Sequence, residues 1–247
     1  MEDSKVCPFT KLKSSNLKKS SNSRNVNNSN KFILYNSNKT PCPIVNVLIN
    51  KGELNPTREW TREEIRNVLK KNKLTSNIFS NLFVTILSKS LSVKKLQEHN
   101  NIEHDVSLSR EDYHLGDHVH FSDKRFKLMY KYFKEVYWPK YGYYLGQETI
   151  SLKDLIRYNY YLYKKSKKEN SELTFTPKHW ASMLSEMVTI FILLSENNRL
   201  DMNKLEKVFK EETLDGVKIN TITTLNFSIK FIQAVNYWNF EILRSVL

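Results

Sequence analysis

Three observations predict that the 247-residue chain forms an all-α fold with a single helical domain. From Pro41 onward, apolar residues recur at spacings of three and four, which is the period of an α-helix, and β-alternating runs are very few. Several of these segments follow residues that favour a helix start. The chain has 40% hydrophobic residues and only 5 glycines, so a real core can form. We expect roughly seven to ten helices in one domain.

The predicted helices begin at specific sequence signals. Pro43 and Pro177 stand at first helical positions, where the fixed φ of proline favours the helix. Thr61-x-x-Glu64 is a capping box, and Ser151 opens another helix. In chain order, helices are predicted from Pro43 to Gly52, Thr61 to Leu69, Ile78 to Leu87, Phe126 to Trp138, Ser151 to Tyr160, Pro177 to Ile192, Leu205 to Phe209 and Phe227 to Leu247.

Residues 1–40 are predicted to form a disordered tail, which leaves residues 41–247 as the helical domain. Between Ser14 and Asn30, 12 of 17 residues are Ser or Asn, too few apolar groups to offset the entropy lost on folding. The tail also holds eight Lys or Arg against two Asp or Glu, nearly half of the formal net charge of +13. A basic tail is commonly a solubilising arm, so nucleic-acid binding is not favoured.

Composition excludes several other classes. The glycines form neither a G-x-G-x-x-G turn nor a P-loop, which excludes enzymes built on those motifs. With only Cys7 and Cys42, a disulfide scaffold or four-cysteine zinc site is impossible, although a single bridge between them stays open. The longest apolar run is far too short for a membrane span of roughly 20 residues. The first residues lack a secretory signal, which slightly favours an intracellular location without assigning one.

Cys42 is the first candidate functional residue. In Pro41-Cys42-Pro43, the second proline pre-sets a helical turn and leaves Cys42 at or near the N-cap, where backbone N–H groups point at its sulfur. We expect this environment to lower the thiol pKa, and a thiolate there can act as a nucleophile or as an axial ligand to haem iron. The alternative is a small cysteine buried after a loop.

The segment Glu103-His104-Asp105-Val106-Ser107 is the second candidate. Its carboxylate, carbonyl and hydroxyl oxygens are ligands of the kind that Mg²⁺ or Mn²⁺ takes. Adjacent His104 and Asp105 can form an oriented acid–base pair. The alternative is a solvated polar loop.

Glu186 is the third candidate, because it interrupts a strongly apolar helix. A carboxylate there either faces solvent or is buried with partners, and burial raises its pKa toward proton transfer. The polar run that precedes the helix at Phe126 is interpreted as structural, with Gly116 permitting a turn and Asp117 capping that helix.

The order of these three features resembles the haem-thiolate chloroperoxidase and unspecific peroxygenase family, in its shorter members. The strings PCPIVNVLINKGELNP and EHDVSLSREDYHLGDHVHF are similar to the cysteine helix and the metal-binding segment of that family. Order and helical context extend the likeness over residues 41–200. The resemblance implies that Cys42 is the proximal thiolate ligand of haem b. It also implies that Glu103, the His104 backbone carbonyl and Ser107 bind Mg²⁺ or Mn²⁺ together with a haem propionate.

For catalysis, the resemblance implies that Glu186 is the distal acid–base that moves a proton across hydrogen peroxide. His104 and Asp105 would orient it. The implied reaction is a peroxide-dependent oxidation, and the 13 Phe and 13 Tyr residues favour a small apolar or aromatic organic substrate.

The chain departs from the family pattern in two places. Lys51 stands where family members usually have histidine, and residues 158–176 are longer and more polar, which leaves Glu172 as an alternative distal acid. Two other functions stay open: a haem-binding protein that has lost peroxide chemistry, and a basic helical nucleic-acid binder that uses residues 1–40.

Overall fold

The protein is described by a computed structural model over residues 38–76, 90–100, 103–137 and 148–247. Cys7, nearly all of the predicted tail, the predicted helix from Ile78 to Leu87 and Trp138 lie outside these ranges. The described residues confirm the all-α fold, because helices dominate and every strand is two or three residues long. They all belong to one compact unit, residues 34–247.

Eight α-helices occur within the described ranges. They are α1 (Pro43–Asn50), α2 (Arg62–Lys71), α3 (Val93–Gln97), α4 (Asp123–Tyr132, continued by a π-helical turn at Phe133–Tyr137), α5 (Leu152–Glu169), α6 (Pro177–Leu194), α7 (Met202–Glu206, continued by a π-helical turn at Lys207–Glu211) and α8 (Thr224–Arg244). The strands pair antiparallel: β1 (Trp60–Thr61) with β2 (Ser90–Leu91), and both β3 (Thr149–Ile150) and β4 (Ser195–Glu196) with β5 (Arg199–Asp201).

Side-chain caps fix several helix starts at the predicted residues. Thr61 forms a capping box with Glu64 at the start of α2. Ser151 does the same with Asp154 at the start of α5, and the Thr176 hydroxyl caps α6. A cap of this kind contributes about 1 kcal/mol to stability. These starts depend on residues only three positions apart, so a local pattern is sufficient to predict them.

The prediction that Asp117 caps α4 is wrong. Ser122 is the N-cap, and its hydroxyl accepts a hydrogen bond from the Arg125 N–H at 3.1 Å. Oδ1 of Asp117 instead accepts from the N–H groups of Val119 and His120, both at 2.9 Å. Asp117 therefore closes a separate turn before the helix.

The core lies where α5, α6 and α8 pack against one another. The buried residues of α6 cover most of its circumference: His179, Met183, Leu184, Met187, Val188, Ile190, Phe191, Ile192, Leu193 and Leu194. A helix that is apolar on nearly all sides belongs in an interior, and α6 therefore fixes the position of Glu186 inside the fold. Within the described ranges, none of the helices has the length and apolarity that crossing a membrane requires.

Candidate active site

The thiol of Cys42 lies at the N-terminus of α1, as the sequence predicts. Cys42 is the N-cap residue, with extended backbone angles of φ −89° and ψ 111°, and Pro43 follows in the first turn. Its carbonyl oxygen accepts a helical hydrogen bond from the Asn46 N–H at 3.1 Å. The side chain is a free thiol in a half-buried position.

The prediction that this environment lowers the thiol pKa is wrong. Burial raises the pKa of Cys42 above its ordinary value, and the Glu186 carboxylate adds to the increase. The backbone N–H groups of Val45 and Ile44 and the charge of Arg110 act in the opposite direction without outweighing burial. The helix N-terminus therefore reduces the cost of forming a thiolate but does not remove it.

A buried hydrogen-bond network fixes the loop that carries Cys42. The Asn46 side chain accepts from the Thr40 N–H and donates to the Thr40 carbonyl oxygen, each at 2.8 Å. It also donates to Oε1 of Glu212 at 2.6 Å. Asn46 is fully buried, so the loss of any of these bonds would leave a polar atom unsatisfied. The sulfur is thus held by a network that joins α1 to the end of the π-helical turn after α7.

The turn from Glu103 to Ser107 is buried, which rules out the solvated polar loop. Val106 is fully buried and has a φ of +66°, in the left-handed region that β-branched residues rarely adopt. Its N–H donates to Oδ1 of Asp112 at 3.0 Å, and its carbonyl oxygen accepts from Nδ2 of Asn159 at 3.2 Å. These two bonds hold the strained backbone in place.

The Asp105 carboxylate binds backbone amides. Its Oδ1 accepts from the Tyr113 N–H at 2.9 Å, and its Oδ2 accepts from the Thr174 N–H at 3.4 Å. Burial raises the pKa of this carboxyl above its ordinary value. Asp105 therefore connects the turn to the segment that enters α6 and acts on the site by positioning it.

His104 and Glu186 lie close together, as the family resemblance implies. Nε2 of His104 lies 3.6 Å from Oε2 of Glu186, and Nδ1 lies 2.8 Å from the carbonyl oxygen of Asp105. A carbonyl oxygen only accepts, so Nδ1 carries a proton in this pair. Nε2 lies close to the Glu186 carboxyl but beyond direct hydrogen-bond distance from it.

Glu186 is partly buried, and its side chain is 25% exposed. Burial raises the pKa of its carboxyl, and the Glu103 carboxylate adds to the effect. His104 and Arg110 lower this pKa but do not cancel the increase. A carboxyl whose pKa lies above its ordinary range is suited to both donating and accepting a proton.

Arg110 is the candidate residue that sequence reasoning missed. It is only 1% exposed, and its charge lowers the pKa of both Cys42 and Glu186. Burial lowers the pKa of the guanidinium in turn, against the pull of Glu212, Glu186 and Cys42. The one signal in the sequence is an arginine in the run after Ser107, which we interpret from the sequence as a polar turn. The thiol, the guanidinium and the Glu186 carboxylate thus form one electrostatic cluster.

One predicted metal ligand, Glu103, lies in a cluster of side chains that could hold a metal ion. His99, Glu103 and Asp105 present ligand atoms within 4.8 Å of one another, and Nδ1 of His99 lies 2.7 Å from Oε2 of Glu103. The Ser107 hydroxyl accepts from the Ser109 N–H at 3.4 Å. Glu103 belongs to the ligand set expected from the sequence, but its pairing with His99 was not predicted.

Two other residues considered from the sequence have different partners. The side chain of Glu172 is 67% exposed, and its Oε2 lies 3.5 Å from Nδ1 of His114. Nζ of Lys51 donates to Oδ1 of Asn72 at 3.1 Å on the exterior. Glu186, not Glu172, therefore has the buried setting expected of a distal acid.

The raised pKa of Glu186 predicts how its substitution changes stability with pH. Below its ordinary pKa of 4.5, this carboxyl is protonated in both the folded and the unfolded chain. As the pH rises, the folded chain holds the proton longer, so the residue destabilises the fold. We expect Glu186→Gln to be more stable than the natural chain in urea unfolding at about pH 7, with the difference vanishing at about pH 3.5.

Glu196→Gln is the matched control, with the opposite sign. A hydrogen bond from Lys204 lowers the pKa of Glu196, so its contribution is present at neutral pH and is lost as the pH falls. A Glu186→Gln variant that is less stable than the natural chain at neutral pH would contradict burial as the cause of the raised carboxyl pKa.

Comparison with known proteins assigns the family. No curated protein matches the chain. The profile of the family described as Peroxidase, family 2 matches residues 34–227, which is well over half of the chain. The match spans Cys42, the turn at residues 103–107 and Glu186, and it confirms the family resemblance drawn from the sequence. The chain therefore belongs to Peroxidase, family 2, the chloroperoxidase family, and is an oxidoreductase that uses peroxide.

Proposed function

We propose that the protein is a haem-thiolate oxidoreductase of the peroxygenase or haloperoxidase type, with hydrogen peroxide as its oxidant. The observation that carries the proposal is the placement of two side chains in a chain of this family. The free thiol of Cys42 lies at the N-terminus of α1, and the partly buried Glu186 carboxyl lies 3.6 Å from His104. A thiolate that donates electron density to iron and a carboxyl that moves a proton are the two side chains that peroxide activation needs.

Small apolar or aromatic organic molecules are the proposed substrates. The chain holds 13 Phe and 13 Tyr, and pockets lined by aromatic side chains favour such ligands. Oxygen insertion, one-electron oxidation and halide oxidation are all reactions of this chemical class.

Cys42 is the proposed proximal ligand of haem b. A thiol that coordinates a metal is deprotonated outright, so the raised thiol pKa does not prevent ligation. The amides of Ile44 and Val45 then stabilise the thiolate. The site also fits an anionic group, because the buried Nε and Nη2 atoms of Arg110 have no hydrogen-bond partner in the part of the chain that the structure describes.

Glu103, the His104 backbone carbonyl and Ser107 are the proposed ligands of Mg²⁺ or Mn²⁺, together with a haem propionate. All three residues are buried, at 9% exposure or less, and they are oxygen donors of the kind these cations prefer. The strained backbone at Val106 fixes their relative positions. A cation there would replace His99 as the partner of the Glu103 carboxylate.

Glu186 is the proposed distal acid–base. When bound, the haem iron supplies the oxidising chemistry that follows cleavage of the O–O bond. Oε2 of Glu186 takes the proton from one peroxide oxygen and returns it to the departing oxygen, and its raised pKa suits both steps. His104 orients this carboxylate from 3.6 Å, and Asp105 holds the turn through its backbone contacts.

Substitution of Cys42 tests the proposed ligation. The reduced, CO-bound haem protein is expected to show the long-wavelength Soret band of thiolate ligation, and Cys42→Ala should remove it because no other thiolate replaces the sulfur. Cys7→Ala is the matched control and should retain the band. A natural protein whose band lies far from the thiolate region, with no change in Cys42→Ala, would rule the proposal out.

Substitution of Glu186 tests the proposed proton transfer. Glu186→Gln keeps the size of the side chain but removes its ability to accept a proton, so peroxide-dependent turnover of a phenolic dye should fall by about 10²–10⁴-fold while haem is retained. The exposed Glu172→Gln should behave like the natural protein. Undiminished turnover in Glu186→Gln would assign the distal base to another residue.

A further inference from the structure

The Arg110 guanidinium is buried with part of its hydrogen-bonding capacity unused. Nη1 donates to the carbonyl oxygen and the hydroxyl of Ser109, at 3.3 and 3.2 Å. Nε and Nη2 are buried, and among the described residues they have no hydrogen-bond partner. A guanidinium has five N–H donors in a rigid fork, and leaving charged donors unsatisfied in an interior is unfavourable. The Nε and Nη2 edge of Arg110 therefore indicates a binding site for a hydrogen-bond acceptor.

Glu212 does not account for this edge. Its Oε1 lies 3.6 Å from Nη2 of Arg110, beyond hydrogen-bond distance. The same oxygen already accepts from Asn46 at 2.6 Å, and the other carboxylate oxygen pairs with Lys39. Glu212 reduces the net charge around Arg110 without satisfying its donors.

The unused edge belongs to the proposed haem site. Nη2 of Arg110 lies 3.6 Å from Oε1 of Glu212, and that oxygen accepts a hydrogen bond from Asn46. Asn46 belongs to α1, the helix that begins directly after the proposed thiolate ligand Cys42. The Nε and Nη2 groups form the edge of the fork that binds a carboxylate through two parallel hydrogen bonds. A carboxylate bound there would supply the hydrogen-bond acceptors that Glu212 does not.

We propose that Nε and Nη2 of Arg110 bind a propionate carboxylate of the haem. This inference rests on the proposed function, because the carboxylate belongs to the prosthetic group. It gives Arg110 a role in binding and orienting the porphyrin, with the Ser109 carbonyl oxygen and hydroxyl holding the guanidinium through Nη1.

The test compares two porphyrins that differ only in their carboxylates. The full-length protein is titrated with ferric protoporphyrin IX and with its dimethyl ester, in EDTA so that a divalent cation makes no contribution, and affinity is measured from the Soret change. The natural protein is expected to bind the free acid at least about tenfold more tightly than the ester. Arg110→Gln should weaken binding of the free acid by about tenfold and change binding of the ester by less than about twofold.

Arg157→Gln is the matched control, because Arg157 pairs with Glu241 at 2.9 Å away from the cluster and should leave the preference unchanged. If Arg110→Gln fails to fold, Arg110→Lys replaces it and should keep only part of the preference, since lysine lacks the fork. The inference would be overturned if the natural protein showed no preference for the free acid over the ester. It would also be overturned if the Arg110 variant kept the full preference, or if the substitution weakened the binding of both porphyrins equally. A natural protein that binds neither porphyrin would overturn the proposed function itself.

Discussion

The burial of Arg110 beside the partly buried Cys42 and Glu186 is the constraint on which the site depends. Burial acts on all three in the same sense, raising the pKa of the thiol and of the carboxyl and lowering that of the guanidinium, so it disfavours every charged form. Each group also acts on the other two, and the charge of Arg110 partly restores the ionised forms of its neighbours. Such a cluster does not stabilise the fold, because the free energy that buried charges lose on desolvation exceeds the free energy gained from imperfect pairing. Its groups are instead suited to the proposed roles of binding a charged cofactor and moving a proton.

Two polar networks hold this cluster in position. The first joins Thr40, Asn46 and Glu212 and fixes the start of α1, from which the sulfur projects. The second surrounds the strained residue Val106, which donates to Asp112, and it continues through Asp105 to the segment before α6. The first network thus fixes the Cys42 side of the site through α1. The second fixes the Glu186 side through α6, which packs in the core. Strain at a buried β-branched residue persists only where the surroundings determine the backbone this strongly.

The parts of the fold that the sequence predicts are those that depend on neighbouring residues. The caps at Thr61, Ser151 and Thr176 join residues only three positions apart, so the sequence predicts these helix starts. Asp117 and Ser122 are both residue types that favour an N-cap, and only tertiary structure decides between them.

The direction of the shift in the Cys42 thiol pKa is not predictable from the local sequence. The helix N-terminus acts locally, whereas desolvation depends on the whole fold. The Asn46–Glu212 bond joins residues 166 apart, and no local pattern reveals it. The pairing of His99 with Glu103 was missed although it is local, because His99 lies outside the ligand set that the family resemblance implies.

A crystal structure of the haem-loaded protein would locate the iron relative to Cys42 and Glu186 in one experiment. We expect Sγ of Cys42 to be bonded to the iron and the Glu186 carboxyl to face the opposite side of the porphyrin. Iron bonded to a histidine, or a Cys42 sulfur packed in the interior with no porphyrin beside it, would refute haem-thiolate ligation by Cys42.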